Sequence, residues 1–255
     1  TLTGSLSQAC TVTLAPNTLS NVWVVQNSAG DTVTLTQGTG ANVVIPNGGI
    51  KMIATDGAGS GAAVTDVLDL TGGAGNVGLG SGSLGSSLTT GTDNVAIGEN
   101  AGDALSTGSD NTLVGDNAGG ALTTGGENIA IGSAALDAED TGNRSVAIGF
   151  EALTAQNNDA NNYNVAVGYV AGKAVTSGIR NNFFGAESGE AVTTGDDNIA
   201  IGYQALTSET AGNRSIAIGG NALDAQNSST DTSMYNVAVG YAAGGSITTG
   251  QFNTL

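Results

Sequence analysis

The sequence predicts an all-β chain, in which a small antiparallel β module is followed by stacked coils of a parallel β-roll or solenoid. Three observations carry this reading. A five-residue pattern, seen as Asn94, Val95, Ala96, Ile97 and Gly98, returns so that its last residue falls at Gly80, Gly98, Gly115, Gly132, Gly149, Gly168, Gly185, Gly202, Gly219 and Gly240. The usual step is 17 residues, and a short fixed period marks a solenoid. The three residues inside each pattern are mostly β-branched outside and small in the middle, which reads as a short strand. Finally, 42 glycines with only 4% aromatic and 11% charged residues are poor material for one conventional core and suit thin stacked coils.

Residues 1–70 make the module. β-rich runs at 11–14, 22–26, 32–36, 42–45 and 50–55 are separated by turn material at 28–31 and 46–49. Both prolines, Pro16 and Pro46, and the single tryptophan, Trp23, fall here, and Trp23 is expected to anchor the module's core. Cys10, the one cysteine, excludes an intrachain disulfide framework and is expected to be a buried small hydrophobe. A glycine-rich connection at 71–75 leads into the repeat region, 76–255. The chain opens on Thr1 and stops partway through a repeat, so it is expected to be part of a longer polypeptide whose coils continue.

Four residues before the closing glycines stand Asn76, Asn94, Asn111, Asn128, Asn164, Asn181, Asn198 and Asn236, with Ser145 and Ser215 in the same place. If coils stack at the strand spacing of about 4.8 Å, these amides lie above one another and satisfy each other along the axis. Such a ladder is structural. The strand itself is apolar on both sides, with Val or Ile outside and residues such as Ala96, Leu113, Ala130 and Phe183 in the middle. Strands of that kind are buried on both faces. A single coil is too thin to bury both, so the second face is expected to meet another chain. Further along each coil the residues alternate in pairs: Gly102 and Gly119, Leu136 and Leu153, Gly172 and Gly189, Leu206 and Leu223. The larger unit is therefore four coils.

Both regions resemble known families. The module, "TLTGSLSQACTVTLAP" with "VWVVQNSAGDTVTLTQGTGANVVIPNGGIKMIATDG", resembles a β module that recurs in tail-fibre and other virion proteins of tailed bacteriophages. The coils, of the form TGxxNVAIGxxAL, resemble the repeats of phage tail-fibre proteins at the same period. The SVAIG core at 145–149, repeated as SIAIG at 215–219, is also similar to the heads of trimeric autotransporter adhesins, whose repeats are shorter. The resemblance implies a homotrimer, intertwined or side by side, that forms a structural and adhesive virion fibre. Its implied partners are other virion proteins and a host cell-surface glycan or protein. The second family implies a trimeric adhesin on a bacterial surface, and a polysaccharide depolymerase fibre is a third reading.

Composition narrows the partners further. A net charge of −17 with only five basic residues argues against a nucleic-acid or anionic-membrane surface, and no apolar run approaches a membrane span. No signal peptide is visible. The chain has no histidine, which removes imidazole metal sites and the Ser-His and Cys-His nucleophile systems. Carboxylate pairs such as Glu139 with Asp140 and Asp196 with Asp197 have the chemistry of glycoside cleavage, but they follow the repeat where an active site should interrupt it. No catalytic residue and no cofactor is assigned.

Two sets of candidate site residues remain. Asp93, Asp110 and Asp197 each precede a ladder asparagine and place hard oxygen ligands for calcium in glycine-rich turns, although Asp and Asn are also ordinary turn residues there. Arg144 and Arg214, which follow Asp140 and Glu209, are expected in ion pairs between coils or chains. The steps of 19 and 21 residues, from Gly149 to Gly168 and from Gly219 to Gly240, lengthen the same coil of the four-coil unit. The loops 156–163 and 226–235 should then bulge from one face, and their Asn157, Asp159, Tyr163, Asp231 and Tyr235 are candidate contact residues. Tyr169, Tyr203 and Tyr241, just after closing glycines, form a second candidate stripe.

Overall fold

The computed structural model of the 255-residue chain describes residues 2–3, 8–16, 18, 20–45, 50–70, 75–85 and 88–255. Two compact units, Thr1–Gly80 and Ser81–Leu255, make up the chain. Of the expected connection at 71–75, residues 71–74 lie outside the described residues, as does the expected turn at 46–49.

The first unit contains β1 (Leu2–Thr3), β2 (Cys10–Thr13), β3 (Ser20–Ser28), β4 (Val33–Thr36), β5 (Val43–Ile45), β6 (Ile50–Asp56), β7 (Val64–Leu70) and β8 (Val77–Leu79). Its pairing is mixed, not antiparallel throughout as the sequence suggests. β3–β6, β4–β5 and β6–β7 are antiparallel, whereas β1–β3 and β2–β4 are parallel. The reason is that β3 leaves for the other sheet, so β2 and β4 meet across a crossover and run the same way. Alternation then places Val33, Leu35, Val43 and Ile45 inward with Ile53 and Val64. Buried Asn27 ties this core together, donating to the carbonyls of Asp31 at 2.8 Å and Ile45 at 2.9 Å and accepting from Ala29 N–H at 3.0 Å.

Trp23 is not the anchor of this core. β3 meets the apolar cluster near its end, through Val25 and the following Ala29, and Trp23 is left 40% exposed with Val22 and Val24 beside it in the strand. Cys10 is half-buried against the cluster, with a free thiol.

The second unit is a parallel solenoid. Its rungs are β9 (Val95–Ile97), β10 (Thr112–Val114), β11 (Ile129–Ile131), β12 (Val146–Ile148), β13 (Val165–Val167), β14 (Asn182–Phe184), β15 (Ile199–Ile201), β17 (Ile216–Ile218) and β19 (Val237–Val239), with β16 (Gly212–Asn213) and β18 (Thr232–Ser233) forming a second, two-stranded sheet. Pairing is parallel and unshifted at each step, so Ala96, Leu113, Ala130 and Ala147 stand in one file. Among the described residues no helix is long and apolar enough to cross a membrane.

The middle residues of these strands point into the coil and are fully buried, together with a second file through Ala101, Ala118, Ala135, Ala152 and Ala171. Their sizes are matched from coil to coil. Leu113 and Phe183 are large, and the glycines around them leave the room: a Cβ on Gly102 would lie 2.6 Å from Leu113 Cδ1, and one on Gly189 2.5 Å from Phe183 Cε1. In the coils whose middle residues are Ala130, Ala147, Ala200 and Ala217, the place of these glycines is taken by the buried Leu136, Leu153, Leu206 and Leu223, which accept a left-handed backbone, φ 49–55°. Three residues further on the compensation continues. Leu105, Leu122, Val175 and Val192 follow the glycines, while Glu139, Gln156, Glu209 and Gln226 follow the leucines.

The outer strand residues face away from this interior. Ile97, Ile129 and Ile131 are each 37% exposed, and Phe184 and Ile201 are also exposed. The coil thus buries one apolar face of its strands and leaves the other accessible along the sheet.

The asparagine ladder exists, but its bonds differ from the expected amide-to-amide chain. Each Oδ1 accepts from the backbone N–H of the ladder residue one coil later, as Asn94 does from Asn111 at 3.1 Å and Asn111 from Asn128 at 3.1 Å. Each Nδ2 donates to the carbonyl of the turn glycine that precedes that next residue: Asn94 to Gly108 at 2.9 Å, Asn111 to Gly125 at 2.9 Å, Asn198 to Gly212 at 2.8 Å. Direct amide contacts occur at Asn111 to Asn94, 3.0 Å, and Asn253 to Asn236, 2.9 Å. The backbone groups win because they are buried and otherwise unpaired, and leaving them so is costly.

Candidate functional site

The residue before each ladder position sits in the left-handed region: Asp93, Asp110, Glu127, Arg144, Tyr163, Arg180, Asp197, Arg214, Tyr235 and Phe252 all have φ of 51–62°. One residue per coil in one conformation makes a column of side chains. In it the calcium candidates Asp93 and Asp110 stand on adjacent coils, whereas Asp197 lies five coils further along the column, so the three do not form one group. Asp197 is engaged from both sides, by Arg180 (Nε to Oδ1, 2.5 Å) and more loosely by Arg214 (Nη2 to Oδ2, 3.9 Å). The Arg180 hydrogen bond, more than any other interaction, holds the Asp197 carboxyl below its usual range. Among the described residues no group of three acidic, Cys or His side chains is placed to hold a metal ion.

The arginines form ion pairs between coils, as expected. Arg144 reaches back one coil to Glu127 with two bonds of 2.9 and 3.0 Å. The shared column explains this, because residues one period apart are spatial neighbours. On its other side Arg144 lies 5.8 Å from the Tyr163 ring centroid and donates to its hydroxyl at 3.2 Å. Arg214 likewise lies 5.8 Å from the Tyr235 ring centroid but donates to the Ser233 hydroxyl, and Tyr235 stacks on Phe252 at 5.3 Å.

Both long loops return at the same place in the repeat, as their spacing implies. Asn143 bridges to Asn161 in one, and β16 pairs with β18 in the other. Asn157, Asp159 and Asp231 are exposed, and Tyr163 and Tyr235 are partly exposed beneath their arginines. Asp159 accepts from the Thr141 hydroxyl at 2.6 Å, and Asp231 accepts from Asn213 Nδ2. The second aromatic stripe is exposed as well, Tyr241 most of all at 84%, and Tyr169 stacks on Phe150 with centroids 5.6 Å apart.

Under each loop lies a buried polar cluster. Ser145 and Ser215 interrupt the ladder in the coil before each loop, where the following coil offers no turn glycine at the usual place. A glutamine fills the gap: Gln156 Nε2 donates to Ser145 Oγ at 2.8 Å, and its Oε1 accepts from Asn164 Nδ2 at 2.8 Å. Gln226, Ser215 and Asn236 repeat this arrangement. A fully buried glutamate completes each cluster. Glu139 accepts from Gly142 N–H at 2.7 Å, Gln156 at 2.9 Å and Asn162 at 3.0 Å; Glu209 accepts from Gly212 N–H at 2.8 Å, Gln226 at 2.8 Å and Ser228 N–H at 2.9 Å. The coincidence of a ladder serine, a glutamine 11 residues later and a long step is readable in the sequence once the reach of the amide is known.

Burial pushes the Glu139 carboxyl above its ordinary value, against the opposing pull of its hydrogen bonds from Gln156, Gly142 and Asn158. A carboxyl raised in the folded state adds stability below its unfolded value, and that contribution is lost as pH rises through the folded one. Glu139→Gln, which mimics the neutral acid, is therefore expected to match or exceed the parent's stability at pH 8. The gap should narrow toward pH 5. Urea midpoints at both pH values check this, and a gap that widens on acidification is the contrary result.

Comparison with family models, curated proteins and solved structures finds no match to this chain.

Proposed function

We propose that this chain is a section of a structural and adhesive virion fibre of the phage tail-fibre kind, assembled as a homotrimer and contributing to attachment at a host surface. The observation that supports this best is the outer face of the solenoid sheet. Val, Ile and Phe residues from successive coils, among them Ile97, Ile129, Ile131, Phe184 and Ile201, stand exposed in file on one sheet. Contiguous apolar surface of that kind marks an interaction site, and a strip repeated once per coil suits a partner with the same period. A second and third copy of this chain have that period. The role is mechanical: coils span distance at about 4.8 Å each, and the side loops are presented in threefold avidity. Other virion proteins and a host glycan or protein are the remaining partners in this reading.

Light scattering at several concentrations is expected to give three times the 24.7 kDa chain mass. Ile129→Glu with Ile201→Glu should shift the protein to monomer while its β circular dichroism persists. A monomer at every concentration for the parent chain sinks the trimer, and antibody against the segment that fails to label particles sinks the virion assignment.

A further inference from the structure

The second long loop borders a solvent-open pocket of about 210 Å3. Ser228, Ser229, Thr230 and Thr232 line it from the loop, Gln251 from the following coil, and Met234 closes it as a buried apolar side chain. The loop folds on itself to make this wall: Ser228 Oγ donates to the Thr230 carbonyl at 2.8 Å, and the Thr230 and Thr232 hydroxyls lie 2.9 Å apart. Glu209 fixes the base by accepting from Ser228 N–H at 2.9 Å. The first loop differs at two points that matter. It lacks counterparts of Ser229 and Thr230, and Asn162, which donates to Glu139, stands where Met234 stands in the second.

We propose that this cavity binds one uncharged saccharide unit. The lining is hydroxyl and amide with one thioether, so it donates and accepts hydrogen bonds without offering a charge. The carboxylate of Asp231 is taken by Asn213. No basic side chain lines the cavity, and the chain carries −17, which disfavours phosphate, sulfate and uronate groups. Met234 is almost fully buried behind the wall, so the groups that reach a ligand are the hydroxyls and amides. The volume is below the roughly 300 Å3 at which pockets for drug-sized ligands begin, so the site takes a single residue or chain end, not an oligosaccharide along its length. The inference rests on the adhesive reading and names the ligand class of one of its contact loops.

Saturation-transfer NMR on the whole chain, with methyl glycosides of glucose, galactose, mannose and N-acetylglucosamine and with glucuronate as the charged control, tests it. At least one neutral glycoside is expected to bind and glucuronate not to. Deleting Ser229 and Thr230, which gives the second loop the length of the first, should weaken binding by about tenfold or more. Ser229→Trp, an exposed substitution that blocks the mouth, should do the same without touching the coil. Silence from all four neutral glycosides, equal binding of glucuronate, or undiminished binding in both variants overturns the proposal. The solution mass is independent of these readouts, so a monomeric chain that binds sugar refutes the trimer alone, and a trimer that binds none refutes the saccharide site alone.

Discussion

Gly185→Ala is expected to destabilise the solenoid by roughly 2–6 kcal/mol, combining about 1–3 for a strained backbone with about 1–3 for overpacking. Gly185 has φ of 133°, and a Cβ there would lie 2.6 Å from the carbonyl oxygen of Gly202 and 2.7 Å from its carbon. Neither backbone has room to yield. Gly185 N–H donates to Val167 O, and Gly202 N–H donates to Phe184 O, both at 2.8 Å, so moving one coil disturbs the coils on each side. Gly220→Ala is the control, because a Cβ there meets the Tyr241 ring at 3.4 Å and the Tyr203 carbonyl oxygen at 3.8 Å, both ordinary contacts, and surface changes of that kind stay within about 0.5 kcal/mol. Thermal unfolding of both variants distinguishes the two positions, and equal melting temperatures would show that the stack can relax around the closing glycine.

Asn111→Ala is the second large effect. It removes the acceptor for Asn128 N–H and the donor to the Gly125 carbonyl, leaving two buried backbone groups unpaired at about 1–3 kcal/mol each. In a stack held by nearest-neighbour contacts, the loss should appear first as faster hydrogen exchange at Asn128. The molecule also supplies a rescue. Gln156 lies 11 residues after Ser145 and donates to its hydroxyl, and the same offset from position 111 falls on Leu122. Asn111→Ser with Leu122→Gln should therefore be more stable than the sum of its single variants, a positive coupling that a double-mutant cycle measures. Strict additivity would mean that the serine–glutamine pair needs its buried glutamate to function.

How much of this was legible beforehand varied with the range of the interaction. The Asn, Gly and middle-residue files were read directly, because a periodic sequence states its own register once the coils are parallel. The pairwise Gly and Leu alternation was also visible, but not its cause, since the matching bulk of Leu113 and Phe183 lies in a different part of the coil. That Arg144 pairs between coils was legible, but not that its partner is Glu127, because that acid is near in space and distant in the chain. Of the candidate contact residues, the structure brings Tyr163 and Tyr235 into the arginine column and leaves Asn157, Asp159 and Asp231 on the loops.

The sequence by itself determined the period, the positions of the repeat strands and the two-region organisation, because these follow from residue types repeated at fixed intervals, whereas β7 (Val64–Leu70) in the module had no such signal. Only the tertiary structure decided that the ladder amides clasp backbone groups, that Glu139 and Glu209 are buried beneath the loops, and that β2 meets β4 in parallel. It likewise left Trp23 half exposed. Those outcomes depend on which groups lie one coil or one sheet away, and burial makes their hydrogen-bonding compulsory; spacing along the chain carries no record of that.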